Sequence, residues 1–153
     1  MKVKISEIID TIEMNSDETN SYLNLESGKI VHIGNREFND ASEDNDISDE
    51  PDWYKESVLV AKNFIKNKKK FILLPTKFDI HEYKIMEKFV VSITNEKQKF
   101  EMYNLIKGKG AFSSFRKGLE KFNLQDNWYE YRDSEFIQFA EEWCQANNIS
   151  YEK

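Results

Sequence analysis

The hydrophobic periodicity of this chain changes once along its length, and that change restricts the folds open to it. Between residues 21 and 33 the pattern is short and β-prone: Ser21-Tyr22-Leu23-Asn24-Leu25-Glu26, the pair Ser27-Gly28, then Lys29-Ile30-Val31-His32-Ile33. Two such runs around a Ser-Gly pair predict a β-hairpin. On a period of two, Leu23, Leu25, Val31 and Ile33 share one face, with Tyr22, Asn24, Ile30 and His32 on the other. From residue 79 onward apolar residues instead return every three or four positions, the period of a helix packed on one side. The fold class that follows is α+β: a small antiparallel hairpin or three-stranded sheet near the N-terminus, then a mainly helical body.

Individual elements can be placed. Ile5, Ile8, Ile9 and Ile12 predict an amphipathic helix over 5–14. Pro51 suits a first helical turn, and Tyr54, Val58, Ala61 and Ile65 give the following helix its apolar stripe to about residue 67. Residues 71–74 (Phe-Ile-Leu-Leu), stopped by Pro75, read as a short buried third strand. Asp79 and Glu82 have capping-box spacing, with Phe78 and Tyr83 as the hydrophobic staple, opening a helix lined by Ile85, Met86, Phe89, Val90 and Ile93. Thr94 is the expected N-cap of a helix that buries Phe100, Tyr103 and Ile106 and ends at Gly108. Gly110 opens another, with Ala111, Phe112, Phe115, Leu119 and Phe122 facing in. A helical turn over 126–132 and a separate helix over 134–147 complete the body.

At 153 residues one domain is the expectation, and 11 Phe, 7 Tyr and 3 Trp can fill its core. No apolar run approaches the length of a membrane span, and Glu7 interrupts the N-terminus before any secretory h-region, so a cytoplasmic protein is expected. Cys144 is the only cysteine, which excludes an internal disulfide and a cysteine-based zinc cluster. The formal charge of -6 is unevenly spread: residues 1–52 hold 14 acids and four bases, residues 62–122 hold 15 bases and six acids, and residues 123–153 hold seven acids and two bases. Eight acids with no base lie between Glu37 and Asp52, so residues 34–52 read as an acidic loop with freedom to move. Within it residues 44–50 have a calcium-loop flavour, but Asp49 stands where the turn needs glycine.

A series of motifs in fixed order connects the chain to a known family. Residues 21–28 are followed by Leu74-Pro75, by His81-Glu82-Tyr83-Lys84-Ile85-Met86-Glu87-Lys88-Phe89, and by Lys107-Gly108-Lys109-Gly110-Ala111-Phe112 with Phe115-Arg116. Trp128-Tyr129, Tyr131-Arg132 and Trp143-Cys144 complete it. This series resembles the bacterial family catalogued as uncharacterised protein family 0158, over roughly residues 5–149. Where family members often carry two consecutive basic residues after Gly-Ala-Phe, this chain has Ser113-Ser114. The resemblance implies a single-domain bacterial protein and brings no activity, substrate or cofactor with it.

The residues themselves offer one principal site. Lys107-Gly108-Lys109-Gly110 precedes a predicted helix, and Arg116 and Lys117 follow within it. Glycines before a helix N-terminus let an anion approach unpaired N–H groups, and the four cations add charge. The competing reading is that Gly108 ends one helix and Gly110 permits the turn into the next. The spacing is not that of a Walker A loop. His81 and Glu87 form a weaker polar pair: Ile85 stands where a zincin motif needs its second His, so no metal site is expected. Cys144, beside Trp143 on an apolar face, reads as core. No catalytic residue and no cofactor is assigned. The expected function is that of a non-enzymatic binding or regulatory domain for a protein or an anionic ligand. The alternatives are nucleic-acid binding through the basic 62–122 segment, or an enzyme acting on a phosphorylated compound near 107–117. Only three of the 22 bases are Arg, which argues against bidentate reading of bases.

Overall fold

A computed structural model describes all 153 residues. The elements run β1 (Val3–Lys4), α1 (Ile5–Met14), β2 (Thr19–Asn24), β3 (Ile30–Gly34), α2 (Asn35–Glu43), α3 (Asp52–Lys66), a 3-10 turn (Lys68–Lys70), β4 (Phe71–Leu73), α4 (Lys77–Ile80), α5 (Glu82–Ser92), α6 (Glu96–Leu105), α7 (Ala111–Lys121), α8 (Gln125–Ala146) and β5 (Tyr151–Glu152). The class is α+β, with a three-stranded antiparallel sheet near the N-terminus. No helix is long and apolar enough to cross a membrane. The chain divides into two compact units, one of Met1–Thr76 with Ala140–Lys153, the other of Lys77–Phe139.

In the first unit the sheet order is β3-β2-β4, so β2 is hydrogen-bonded on both sides. The register pairs Tyr22 with Val31 and Leu23 with Ile30. Residues directly opposite in an antiparallel pair share a face, so Tyr22, Val31 and Ile33 lie together, and Ser21, Leu23, Ile30 and His32 lie on the other side. The face grouping expected from sequence is therefore wrong by one residue. The five-residue connection, in which the Asn24 N–H bonds the Lys29 carbonyl and Gly28 takes φ +76°, sets an odd offset that moves one strand's side chains across the sheet. Tyr22 stacks on Phe64 of α3 with ring centroids 4.1 Å apart, and Phe71 of β4 meets Phe64 edge-on at 5.3 Å. Ile33, Ala41, Tyr54, Val58, Ala61 and Phe64 form the core above this face. On the opposite side Ser21 Oγ lies 2.7 Å from His32 Nδ1. The third strand is half-buried rather than buried: as an edge it leaves Leu73 exposed, and burial passes to Leu74. A two-residue parallel ladder also joins β1 to β5, Val3 opposite Tyr151.

The acidic segment is not a loop throughout. Residues 35–43 form α2, and several acids of the segment have defined partners. Ala41 is buried and Phe38 half-buried three residues earlier, so an apolar stripe is hidden among acids that point outward. Asp40 accepts from the Tyr54 hydroxyl and, at 2.9 Å, from Asn45 Nδ2. Asp44, the left-handed residue that ends α2, pairs with Lys62 at 3.0 Å. Asp46 accepts the Ser48 N–H, and Glu50 pairs with Arg36, whose guanidinium lies 4.3 Å above the Tyr54 ring.

In the second unit Phe89, Phe115 and Trp128 make the aromatic centre, with Phe115 and Trp128 at 4.8 Å. Four local expectations change here. The capping box does not form: Asp79 lies within α4, His81 takes φ +52° ahead of α5, and Glu82 instead accepts from Arg132 Nε and Nη2 at 2.8 and 2.7 Å. The staple fails with it, since Phe78 is exposed. Asn95, not Thr94, caps α6 by accepting the Gln98 N–H. The face of α6 that packs inward holds Met102 and, just beyond the helix, Ile106, leaving Phe100 and Tyr103 outside. Gly118 explains that choice: a Cβ there would sit 2.8 Å from Leu105 Cδ1 and closer still to Met102 Sδ, so the missing side chain admits both α6 residues against α7. Finally, 125–146 is one continuous helix, because nothing at Asp133 or Ser134 stops it.

Two expectations follow. Burial first, and the bond to the Asp40 carboxylate second, push the Tyr54 phenol up to about 12. A group raised in the folded state stabilises fully below its unfolded value, so this contribution holds below pH 10 and is lost as pH rises towards 12. Tyr54→Phe is expected to lower the melting temperature at pH 7 by about 2–4 °C and to flatten the alkaline limb of the stability curve, read by thermal melts across pH. On α6, Met102→Ala is expected to cost about 2–5 kcal/mol. Phe100→Ala should stay within about 0.5 kcal/mol, and urea unfolding separates the two.

Candidate functional site

The residues of the principal candidate occupy the turn between α6 and α7 and the first two turns of α7. Ile106 ends α6, and Gly108 and Gly110 take φ +81° and +70°. Side chains rarely adopt that region, so both glycines are required by the backbone. A Cβ at either would meet nothing within 4 Å, so the turn is open to solvent. No side chain caps α7. Lys107, Lys109, Arg116 and Lys117 are all exposed. None of the four is in an ion pair, although Lys99 pairs with Glu96 at 3.3 Å and Lys121 with Glu101 at 2.9 Å on either side. The cause is visible in the sequence: residues 102–119 contain these four cations and no acid. Elsewhere in the basic segment Lys62, Lys70 and Lys88 are neutralised by Asp44, Glu26 and Glu135, while Lys66, Lys68, Lys69, Lys77, Lys84 and Lys97 form no ion pair. What sets 107–117 apart is the open glycine turn and the rings around it.

Around this charge the structure gathers aromatic rings, of which helical spacing assigns Phe100, Tyr103 and Phe112 to the core and the staple pattern claims Tyr83. Tyr83 of α5 donates to the Ile106 carbonyl at 2.7 Å and meets Phe112 edge-on at 6.3 Å. Lys107 Nζ lies 4.4 Å from the Tyr103 ring centre. Tyr83, Tyr103 and Phe112 are each 40–48% exposed and Phe100 is 68% exposed, against 2% for Phe115 one turn beyond Phe112. Phe100 and Tyr103, three apart, follow one stripe of α6, and Phe112 and Arg116, four apart, follow one stripe of α7. Lys117 turns instead to a groove of about 320 Å³ between α6 and α7, with Glu101, Asn104 and Lys121.

The weaker pair is not assembled. His81 is the exposed left-handed residue before α5, whereas Glu87 lines a shallow groove with Lys84, Lys88, Val91, Ser92 and Tyr131. No hydrogen bond or ion pair links the two. In the first unit a separate cleft of about 430 Å³ lies between α1 and β3, lined by Glu7, Asp10, Thr11, Met14, Gly28, Lys29, Ile30 and His32. Sequence reasoning missed it because it depends on which face of the hairpin α1 covers.

A family model described as an uncharacterised protein family, UPF0158, matches residues 1–152. No curated protein and no solved structure matches.

Cys144 is buried and free, and burial, with Glu141 nearby, pushes its thiol up to about 11. A thiol so placed is a poor nucleophile. Ellman's reagent at pH 8 is expected to leave the folded protein unmodified and to titrate one thiol after unfolding in guanidinium.

Proposed function

The chain belongs to the uncharacterised family UPF0158, and since that membership brings no activity with it, we propose from the surface itself that the protein is a non-enzymatic binding or regulatory module whose 107–117 region takes an anionic ligand. One observation supports this reading above others: four neighbouring cations lack any carboxylate partner, on a turn whose glycines leave it open, while cations on both sides are paired. Surface lysines are usually balanced by interspersed acids; an unbalanced group raises the local concentration of anions and speeds their capture. The Gly108–Gly110 geometry explains the turn but not the missing acids. A protein partner remains the second form of the same proposal, engaging these cations through its own carboxylates. An enzyme acting on a phosphorylated compound has less behind it, because His81 and Glu87 stand apart and neither shares a cleft with Lys109.

Tripolyphosphate in a thermal-shift assay tests the proposal. At a hundred times its Kd it is expected to raise the melting temperature by about 5 °C. Lys109→Glu is expected to remove the response while leaving the unliganded melting temperature within about 1 °C, since Lys109 is exposed and makes no hydrogen bond or ion pair. A response that survives this substitution, or none from the native protein, rejects the assignment.

A further inference from the structure

We infer that the anion taken at this surface is the backbone of single-stranded nucleic acid, with bases stacking on Phe112 and Tyr103. The inference rests on the anion-binding reading above and deepens it from a separate observation, the placement of the rings. Phosphate alone needs cations, not aromatic side chains held half in water. Here four large rings stand exposed beside the four unpaired cations: Phe100 and Tyr103 on α6, Tyr83 on α5 and Phe112 on α7. Contacts join three of the rings and Lys107 into one patch, from Tyr103 to Lys107, through Ile106 to Tyr83, and on to Phe112.

The chemistry of the patch selects among polyanions. Every base has a π-face, so stacking on aromatic side chains is tolerant of sequence, and lysine supplies point charge without bidentate base recognition. In a duplex the bases are already stacked on one another and present only their edges, so rings of this kind gain nothing from them. A protein partner would meet the rings through apolar side chains, but residues 102–119 surround them with unopposed positive charge, which a polyphosphate backbone complements along its whole length. Phe100 and Tyr103 lie one turn apart on α6 and Lys107, in the turn that follows, reaches the Tyr103 ring, so neighbouring nucleotides can meet both a ring and a cation.

Fluorescence anisotropy with a labelled twelve-nucleotide oligothymidylate, the matching oligouridylate and a duplex of the same length tests this. Single strands are expected to bind, with log K falling against log salt at a slope of about -2 to -3 for three or four phosphates, and the duplex to bind at least about tenfold more weakly. Phe112→Ala and Tyr103→Ala are each expected to weaken single-strand binding about tenfold, while their thermal response to tripolyphosphate stays that of the native protein. Phe112→Trp, which keeps a stacking face, restores binding and guards against a merely disruptive substitution. Equal affinity for the duplex, or rings replaced without loss, overturns the stacking proposal while a persisting tripolyphosphate response leaves the anion site standing. Loss of that response in the native protein overturns both.

Discussion

Because β2 is paired on both sides, its register with β3 decides which side chains of the first unit meet α3. Tyr22 opposite Val31 places an aromatic and two β-branched residues on the side that Phe64 and Phe71 close. A shift of one residue would turn one strand over relative to the other, putting either His32 beside Tyr22 or Ser21 beside Val31 and Ile33, and so bury a polar group against an apolar helix. The hydrophobic penalty for the wrong register is therefore large, and the five-residue turn at Asn24 is tied down by the Asn24 side chain, which accepts from the Glu26 and Ser27 N–H groups. Pairing, turn and helix packing enforce the same answer.

The acids of the first unit play a more structural part than net charge suggests. Asp40, Asp44, Asp46 and Glu50 each satisfy a named donor, and burial of the Tyr54 ring supports the Asp40 bond from below. The segment reads as solvated chain by composition, yet it folds because these four acids find donors and because Phe38 and Ala41 can reach the core. Exposed pairs of this kind contribute little one by one; their value lies in fixing where a charged segment goes.

How much was legible follows from which competing patterns each stretch offered. Ile5, Ile8 and Ile12, and Tyr54, Val58 and Ala61, form single apolar stripes, and those helices fall where the spacing puts them. On α6 two stripes compete, Phe100 with Tyr103 and Met102 with Ile106; ring size favours the first, but the side chains that fit beside Gly118 decide for the second. Asp79 and Glu82 fit a capping box as a pattern, yet Glu82 is drawn to Arg132 fifty residues away, a partner no local rule can see. The cations at 107–117 were evident from sequence alone. Their lack of partners and their aromatic surroundings were not, since both depend on how α5, α6 and α7 meet.

Gly118 gives the second unit a geometric handle. Packed against Met102 and Leu105, it sets how closely the helix bearing Phe100 and Tyr103 approaches the helix bearing Phe112 and Arg116. The spacing between rings and charges is thus determined from beneath, by an atom that is missing. Within a set of related chains, alanine or serine at this position would move these rings and charges apart without altering any of them, so the spacing of the surface could drift while its composition stayed the same. Surface spacing and packing are coupled here through a single hydrogen atom.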